Sequence, residues 1–361
     1  MNFLLSLEQK MLQDAVERAA RDVCPLQELH RHVDHADLTL RKRAWETLAA
    51  MEVAGLCVDE AHGGSGYDLV DAALVTEVLG YNAVPSAFLG HTLAVLAIQA
   101  SQDEGLKQTW LPGLAKGELV GTVALREPDK GWYPDDWSMR PEAGRLSGAK
   151  SFVLDAGEAD CIIVGLADGQ LGLVEGRTGG VQCTPLDGVD RTRALFDVVF
   201  AGARVHPLPA AKDAGTRLAD AASVLIAADA FGGGRRAVDM AVEYANQREQ
   251  FGVKIGQFQA LKHQLANMAT RMEMSRGLYW YAAYAFDHRP LERGHAASLA
   301  KAHVTEQFLQ VARDAVEAHG GIGFTWDYHI HVWLKRAMFD WAWNGDPKFH
   351  RERYARLSDW Q

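Results

Sequence analysis

Apolar residues recur at helical spacing through the first third of the chain. Leu7, Met11 and Val16 fall on one face of a helix, and similar spacing returns beyond a glycine-rich stretch, DEAHGGSGYD, at residues 59–68. The first apolar series is short and amphipathic, which is typical of a helix that docks on other helices. The pattern predicts a helical domain over residues 1–118.

The pattern changes at Leu119, where short β-rich runs replace the helical period. The runs are LVGTVAL, RLSGAKSFVLD, DCIIVGLAD, LGLVEG and LFDVVFAGARV, and Gly, Asp and Pro residues separate them. Several strands at such close spacing predict a small β-barrel or sheet domain over residues 119–208.

The helical period returns from about Thr216 and continues to the end of the chain. Val238, Ala241 and Ala245 lie on one apolar face, and later helices show similarly wide faces. Long helices of this kind usually build a bundle and often a subunit interface. We therefore expect a C-terminal helical domain over residues 209–361, and an α+β fold in the order helices, sheet, helices.

Composition and charge narrow the function classes. The 361 residues are 48% hydrophobic and carry a formal net charge of −10, which excludes wholesale disorder and disfavours non-specific nucleic-acid binding. The four Cys residues are scattered, so neither a disulfide framework nor a zinc site is indicated, and a reducing cytoplasm is expected. No apolar run is long enough for a membrane span, and the first residues do not resemble a signal peptide.

One segment combines groups suited to a phosphorylated aromatic ligand. In NQREQFGVKIGQFQALKHQLANM, Arg248 offers a planar fork for phosphate, Phe251 a ring for stacking, and Gln259 a donor and an acceptor. The alternative is that Arg248 caps a helix and Phe251 belongs to the core, and the residues alone do not decide between the two. Further along, Gly320 and Gly321 would let backbone N–H groups approach a ligand closely.

Two other patterns have simpler interpretations. The HRHVDH run places His30 and His35 at a spacing that is poor for one metal, so a solvated surface is expected and no metal site. The glycines at 232–234 lie within a helical segment and match no phosphate-loop motif, so close helix packing is expected there.

Taken together, four segments resemble the acyl-CoA dehydrogenase family. QREQFGVKIGQFQ is similar to the family's R-x-x-F-G-x-x-I-x-x-F-Q, EAHGGIGF to its Q-x-x-G-G-x-G-F/Y, CVDEAHGGSG to its P-E-E-x-G-G-x-G, and GAKSFVLDAGEADCIIVG to its second flavin-side strand. They occur in the family's order and span nearly the whole chain. The resemblance implies the acyl-CoA dehydrogenase fold, FAD, an acyl-CoA substrate and a tetramer built on the C-terminal helices. It also implies electron transfer to an electron-transfer flavoprotein, after a Glu has taken the α-proton and the flavin the β-hydride.

The resemblance assigns cofactor-binding positions by motif. The family's Arg-Phe-Gln set, which reaches across a subunit interface to the pyrophosphate and adenosine end of a neighbour's FAD, corresponds to Arg248, Phe251 and Gln259. Its glycine pair, which helps to hold the same end, corresponds to Gly320 and Gly321. The Gln that precedes this pair in the family is replaced by Glu317, whose carboxylate would repel a pyrophosphate.

The flavin-ring segments depart from the family pattern. The family's T-E-P-G-A-G-S-D loop reads REPDKGWYPDD here, so that Glu127 and Pro128 remain and Arg126 stands in the place of a small hydroxyl residue. The family's W-x-T reads Phe152-Val153-Leu154, with Leu154 in the place of the hydroxyl that would bond near flavin N5.

Both usual positions of the catalytic Glu are also changed. The common position corresponds to Asn344 and the alternative position to Ala222, and neither residue can take a proton. Asp346 and Asp220 are near these positions in sequence and are the weak candidates for a replacement base.

The departures from the family pattern are concentrated at the flavin ring and the catalytic base. The residues that would bind the adenosine end of FAD are mostly retained. The leading hypothesis is therefore the non-catalytic, β-type subunit of a heteromeric α2β2 acyl-CoA dehydrogenase, of the type that acts on steroid side-chain thioesters. Its partner would be a homologous catalytic subunit, and the GDPKFHRER segment near the end of the chain also resembles that group. The alternatives are a self-sufficient homotetramer with a relocated base, and a non-enzymatic scaffold of the same fold.

Overall fold

The computed structural model describes residues 4–35 and 38–358, and the secondary structure within them follows the predicted order of helices, strands and helices. The α-helices are α1 (Leu7–Val23), α2 (Leu26–His35), α3 (Leu38–Ala50), α4 (Leu69–Tyr81), α5 (Phe88–Gln99), α6 (Glu104–Ala115), α7 (Ala214–Gln247), α8 (Gln259–His288), α9 (Arg293–Ala318), α10 (Ile330–Ala342) and α11 (Pro347–Leu357). The strands are β1 (Gly121–Ala124), β2 (Arg145–Leu154), β3 (Cys161–Gly165), β4 (Leu171–Glu175), β5 (Val181–Leu186), β6 (Leu195–Leu208), β7 (Glu249–Gln250) and β8 (Val253–Lys254).

The described residues form two compact units. One, the helical unit, comprises the described residues within Met1–Asp37, Ala73–Val84 and Ser223–Gln361, and the other, the sheet unit, those within Leu38–Ala72 and Pro85–Ala222. The three segments expected from the sequence, 1–118, 119–208 and 209–361, stay a prediction about domain boundaries.

The sheet unit is built around a six-stranded sheet in the order β1-β3-β4-β6-β2, with β5 paired to β6. The β1–β3 pair is parallel and the other pairs are antiparallel. Its apolar core includes Leu146, Ile162, Val164, Val198 and Phe200, all at most 1% exposed. Strand β5 does not stand out in the sequence because its residues VQCTPL are mostly half-buried or exposed and lack a clean alternation.

A bulge interrupts β2 next to the flavin-side strand motif. The register to β6 shifts between Lys150 and Val153, and Phe152 takes a left-handed backbone conformation with φ of 58°. The bulge leaves Phe152 38% exposed, whereas Val153 and Leu154 are buried. The Phe152 ring is therefore presented to the outside of the sheet.

The helical unit depends on close helix packing at the glycine run of α7. A Cβ atom at Gly232 would lie 1.9 Å from the Glu77 carbonyl oxygen, and one at Gly233 would lie 2.5 Å from the Phe308 ring. The glycines therefore serve packing, as the sequence indicates. Beside them, Arg336 of α10 makes a doubly hydrogen-bonded ion pair with Asp229 of α7 at 2.6 and 2.7 Å, and both side chains are fully buried.

The predicted apolar face of α1 is buried only in part. Val16 is fully buried, but Leu7 and Met11 are 73% and 60% exposed. The helix is capped by Ser6 and Gln9 in a reciprocal capping box, so its formation does not depend on burying its first turn.

Candidate functional site

The helix α7 ends in a two-residue β-hairpin that displays Phe251. Strands β7 and β8 pair on either side of Phe251-Gly252, whose φ angles are 54° and 78°. Two successive positive φ angles are those of a type I′ turn, which explains why Gly follows Phe here. The Phe251 ring is 91% exposed, and its nearest aromatic neighbour is Phe258, edge-on at 6.1 Å.

Arg248 and Gln259 flank this hairpin and are also exposed. Arg248 follows the last residue of α7, and its carbonyl oxygen accepts a hydrogen bond from the Ile255 N–H at 2.9 Å, which closes the hairpin. Gln259 is the first residue of α8. Neither side chain makes a hydrogen bond or an ion pair with another described residue, so both keep their donors available for a ligand. The alternative that Phe251 is a core residue is excluded by its exposure.

The glycine pair lies in a 3₁₀ turn, Gly320–Phe324, that follows α9. Gly320 has φ of 64°, and a Cβ atom at Gly320 or Gly321 would have no atom of the chain within 4 Å. The packing of the chain therefore leaves both positions open, and their bare backbone can be approached from outside. Glu317 is exposed one turn earlier, and no ion pair joins it to Arg248 in the described part of the chain.

Two aromatic contacts join these separate segments. The Tyr244 ring, one helical turn before Arg248, stacks on the His319 ring at 4.6 Å, and His319 immediately precedes Gly320. The Tyr328 ring contacts His319 at 4.7 Å from another side. The end of α7 and the end of α9 are therefore held together. Sequence reasoning missed these rings, although Tyr244 and His319 are adjacent to the two motifs.

The two positions where a catalytic Glu is expected from the resemblance are neutral and buried. The Asn344 side chain is 0% exposed, and its Nδ2 donates to the Ser223 hydroxyl at 2.9 Å. Ser223 follows Ala222 along α7, and Ala222 is also 0% exposed. Asn344 has φ of 62°, and its carbonyl oxygen accepts a hydrogen bond from His350 Nε2 at 2.9 Å. Neither position carries a carboxylate, and the Asn344 side chain is held by Ser223 within the helical unit.

Asp346 and Asp220, the weak candidates for a base, have structural partners. Asp346 is the N-cap of α11 and accepts the Phe349 N–H at 2.7 Å, with Pro347 at the first helical position. Asp220 is 1% exposed in the sheet unit and accepts the Tyr133 hydroxyl at 3.3 Å. These contacts are those of a helix cap and a buried hydrogen bond.

A buried lysine holds the backbone around Asn344. Lys301 of α9 is fully buried, and its Nζ donates to the Gly345 carbonyl at 2.7 Å and to the Trp341 carbonyl at 3.3 Å. Burial lowers the pKa of Lys301 to about 7, although the carboxylates of Asp340 and Asp346 favour its charged form. The Lys301 amino group therefore fixes the backbone of the segment from Trp341 to Asp346.

The loop that reads REPDKGWYPDD, at residues 126–136, is fixed by Glu127. Its carboxylate accepts the Ser138 hydroxyl at 2.6 Å and the Met139 N–H at 3.1 Å, and lies 3.2 Å from Lys150 Nζ. Burial alone would raise the pKa of Glu127, but the hydrogen bonds from Ser138 and Met139 and the Lys150 charge lower it to about 2. The retained Glu thus anchors the loop to the sheet.

Arg126 packs between two rings at the edge of the same loop. Its guanidinium lies 5.0 Å from the centre of the Phe152 ring and 5.6 Å from that of Trp132. The changed residues of both flavin-side motifs therefore contact each other.

Two family models match most of the chain. The model of the acyl-CoA dehydrogenase N-terminal domain matches residues 6–118, and that of the C-terminal domain matches residues 216–358. The acyl-CoA dehydrogenase IpdE2 of Mycolicibacterium smegmatis is 32% identical over 356 residues, which are 98% of each chain. The chain belongs to the acyl-CoA dehydrogenase family.

This member of the acyl-CoA dehydrogenase family shares its fold with solved structures. A variant of the Tcur3481-Tcur3483 steroid ACAD matches with a TM-score of 0.89 at 27% identity, covering 97% of both chains. The ChsE4-ChsE5 complex from Mycobacterium tuberculosis matches with a TM-score of 0.89 at 24% identity, covering 99% of this chain and 98% of that chain. The predicted fold class is confirmed, with an N-terminal helical domain, a middle sheet domain and a C-terminal helical domain.

Family membership also confirms the expectation of FAD as the cofactor. The exposed residues of the helical unit fit its adenosine diphosphate portion. An unpaired guanidinium suits a pyrophosphate, an exposed ring suits an adenine, and open glycine backbone permits close approach. We call Arg248, Phe251, Gln259, Gly320 and Gly321 the grip surface.

The HRHVDH run forms local contacts. His30 contacts Asp34 at 3.1 Å and His329 at 3.3 Å, whereas the side chain of His35 lies outside the described residues. Among the residues that the structure describes, no group of three or more His, Cys, Asp or Glu side chains is arranged to hold a metal. None of the described helices combines the length and hydropathy that a membrane span requires.

Proposed function

We propose that this chain is the non-catalytic, β-type subunit of a heteromeric acyl-CoA dehydrogenase. In an α2β2 assembly, it would complete the FAD site of a homologous catalytic partner, which carries the base and the flavin pocket. The reaction is the α,β-dehydrogenation of an acyl-CoA thioester, in the cytoplasm. The electrons would pass to an electron-transfer flavoprotein.

The observation that carries this proposal is a contrast between two parts of the helical unit. Arg248, Phe251 and Gln259 are exposed, and the two polar side chains among them have no partner among the described residues. Asn344, in contrast, is 0% exposed and neutral, and it is held in place by Ser223. A chain that dehydrogenated a substrate itself would need an accessible base for the α-proton, whereas a chain that only completes a neighbour's FAD site needs the outward groups alone.

Each residue of the grip surface has a task that follows from its chemistry. Arg248 would pair its planar guanidinium with pyrophosphate oxygens, and Phe251 would stack on the adenine. Gln259 would hydrogen-bond the adenosine portion, and the open backbone of Gly320 and Gly321 would lie against the phosphates. When bound, FAD supplies the hydride acceptor for the substrate β-carbon.

Glu317 is the one residue near the grip surface with an unfavourable charge. Its carboxylate is exposed, so water and salt screen its repulsion of a pyrophosphate. We propose that Arg248 offsets this repulsion in the assembled site, and that Glu317 makes no direct contact with phosphate oxygens.

The proposed substrate is a steroid-derived acyl-CoA thioester. Support comes from the likeness over 97% of both chains to the Tcur3481-Tcur3483 steroid ACAD. The two designations in that protein's name, Tcur3481 and Tcur3483, also suit an assembly of two different chains.

The test is to express the chain alone and together with its candidate partner, and to measure FAD per chain and turnover. The lone chain should contain no FAD, and the complex should contain half as many FAD molecules as chains. Arg248→Ala should remove FAD from the complex, whereas Arg18→Ala, at another exposed arginine, should not. Turnover by the lone chain with full flavin occupancy would refute the proposal.

A further inference from the structure

We infer that His319 is a positioning residue that holds the Gly320–Gly321 turn against the Arg248 end of α7. It would thereby set the shape of the surface that receives the adenosine diphosphate part of the partner's FAD. This inference rests on the proposed function and adds to it a residue that contacts no cofactor atom.

The position of His319 between two segments is the first reason. Its ring lies between Tyr244 of α7, stacked at 4.6 Å and 30°, and Tyr328, at 4.7 Å. The Tyr244 carbonyl accepts the Arg248 N–H at 2.8 Å, so the backbone that carries Arg248 also carries the stacked ring. His319 is the residue before Gly320 and is only 2% exposed. A shift of this ring would move both parts of the grip surface relative to each other.

The turn after His319 is packed directly on it. A Cβ atom at Gly323 would lie 3.0 Å from His319 Cβ and 2.5 Å from the Val316 carbonyl oxygen. The turn therefore folds back onto the end of α9, and its close contact at Gly323 leaves no room for a side chain there. Gly320 and Gly321 remain open because the turn projects them away from this contact.

The hydrogen bonding of His319 fixes its tautomer. Nδ1 lies 2.6 Å from the Ala315 carbonyl oxygen, which can only accept, so Nδ1 carries the proton. Nε2 is buried and has no hydrogen-bond partner among the described residues. A second proton on Nε2 would place an unpaired charge between two rings, and burial accordingly lowers the pKa of His319.

The protonation state of this ring should therefore affect the grip surface. The titratable groups that face it are Tyr244 from α7 and Tyr328 from the segment before α10. Neither carries a carboxylate that would pair with the imidazolium. Acidification should thus loosen the stack and weaken FAD binding, and a ring that cannot be protonated should lack this part of the pH dependence.

The experiment uses the complex with the partner, freed of FAD and titrated with FAD, at about pH 8 and at about pH 5, because burial lowers the pKa of His319 below its ordinary value of 6.5. His319→Ala should raise the Kd of FAD about tenfold, which corresponds to about 1.4 kcal/mol, with kcat at saturating FAD unchanged. His319→Phe, which keeps a ring of similar size, should bind FAD more tightly than His319→Ala. It should also show a smaller loss of affinity at the lower pH than the wild type.

The outcomes separate this inference from the proposed function. If both His319 variants bind FAD as the wild type does, while Arg248→Ala weakens binding, His319 has no positioning role and the proposed function stands. If Arg248→Ala also leaves the Kd unchanged, the proposed function fails. Should His319→Ala not assemble, His319→Phe decides, because an unchanged Kd together with an unchanged pH dependence would overturn the inference.

Discussion

The amide of Asn344 donates to the hydroxyl of Ser223 across 2.9 Å, within the helical unit. Both side chains are fully buried, and the Asn344 backbone is held in a left-handed conformation. These two side chains therefore provide a hydrogen bond and packing, and neither is a carboxylate. The same unit exposes Arg248 and Phe251.

A carboxylate introduced at Asn344 should destabilise the chain without creating an enzyme. Asn344→Glu would bury a charge beside a neutral hydroxyl, so the free energy of unfolding should fall by about 3 kcal/mol. The lone chain should still show no turnover. Denaturant unfolding and an acyl-CoA oxidation assay measure the two effects. Asn344→Gly, which suits the left-handed φ and adds no charge, is the control, and turnover by the Glu variant alone would contradict the account.

Lys301 should make stability depend on pH. Its pKa is about 7 in the folded chain and 10.5 in the unfolded chain, so between these values the unfolded chain binds more protons and stability rises with pH. Between pH 7 and pH 8 the gain should be about 1 kcal/mol. Lys150, whose pKa is lowered to about 8, contributes mainly at higher pH.

The measurement is denaturant unfolding at the two pH values. Lys301→Met should remove most of the gain, and Lys262→Met, at an exposed lysine, should leave it intact. An equal gain in the Lys301→Met chain would show that the amino group is not the source.

A substitution at Gly321 can distinguish an effect on the stability of the chain from an effect on FAD binding. Its Cβ position is open, so Gly321→Ala should change the free energy of unfolding by less than about 0.5 kcal/mol. In the complex, the same methyl group should obstruct FAD and raise its Kd. Gly179→Ala, at another open glycine, is the matched control and should affect neither quantity. Normal FAD binding by Gly321→Ala would mean that no cofactor reaches this turn.

Phe251 should show opposite effects on stability and on function. A non-glycine residue with left-handed φ costs about 1 kcal/mol, and Asn-Gly is the pair that a type I′ turn favours. Phe251→Asn should therefore stabilise the lone chain slightly, because the exposed ring contributes little packing. In the complex it should weaken FAD binding, which calorimetric titration measures. A variant that binds FAD normally would show that the ring serves another purpose.

The order of helices and strands could be predicted from the sequence because hydrophobic periodicity and turn residues are local. The residues of the grip surface could be assigned by motif, and the exposure of Phe251 follows from a hairpin that Phe251-Gly252 encodes locally. The N-cap role of Asp346 can also be predicted from the sequence, since Asp before Pro is a common helix start. The sequence reasoning instead treated Asp346 as a possible base.

The long-range contacts could not be predicted in this way. The Tyr244–His319 stack joins residues that are far apart in the chain, and no local pattern indicates that they meet. The burial of Lys301 could not be predicted either, because a lysine in the middle of a helix is usually solvated. Only the packing of α9 against the loop after α10 shows that its amino group is enclosed.

The most direct test of the central claim is the FAD content of the chain, purified alone and in complex with its catalytic partner. The account predicts a colourless lone chain, and a complex whose FAD is lost on Arg248→Ala in this chain. A lone chain that retains FAD in every copy and oxidises an acyl-CoA thioester would contradict it.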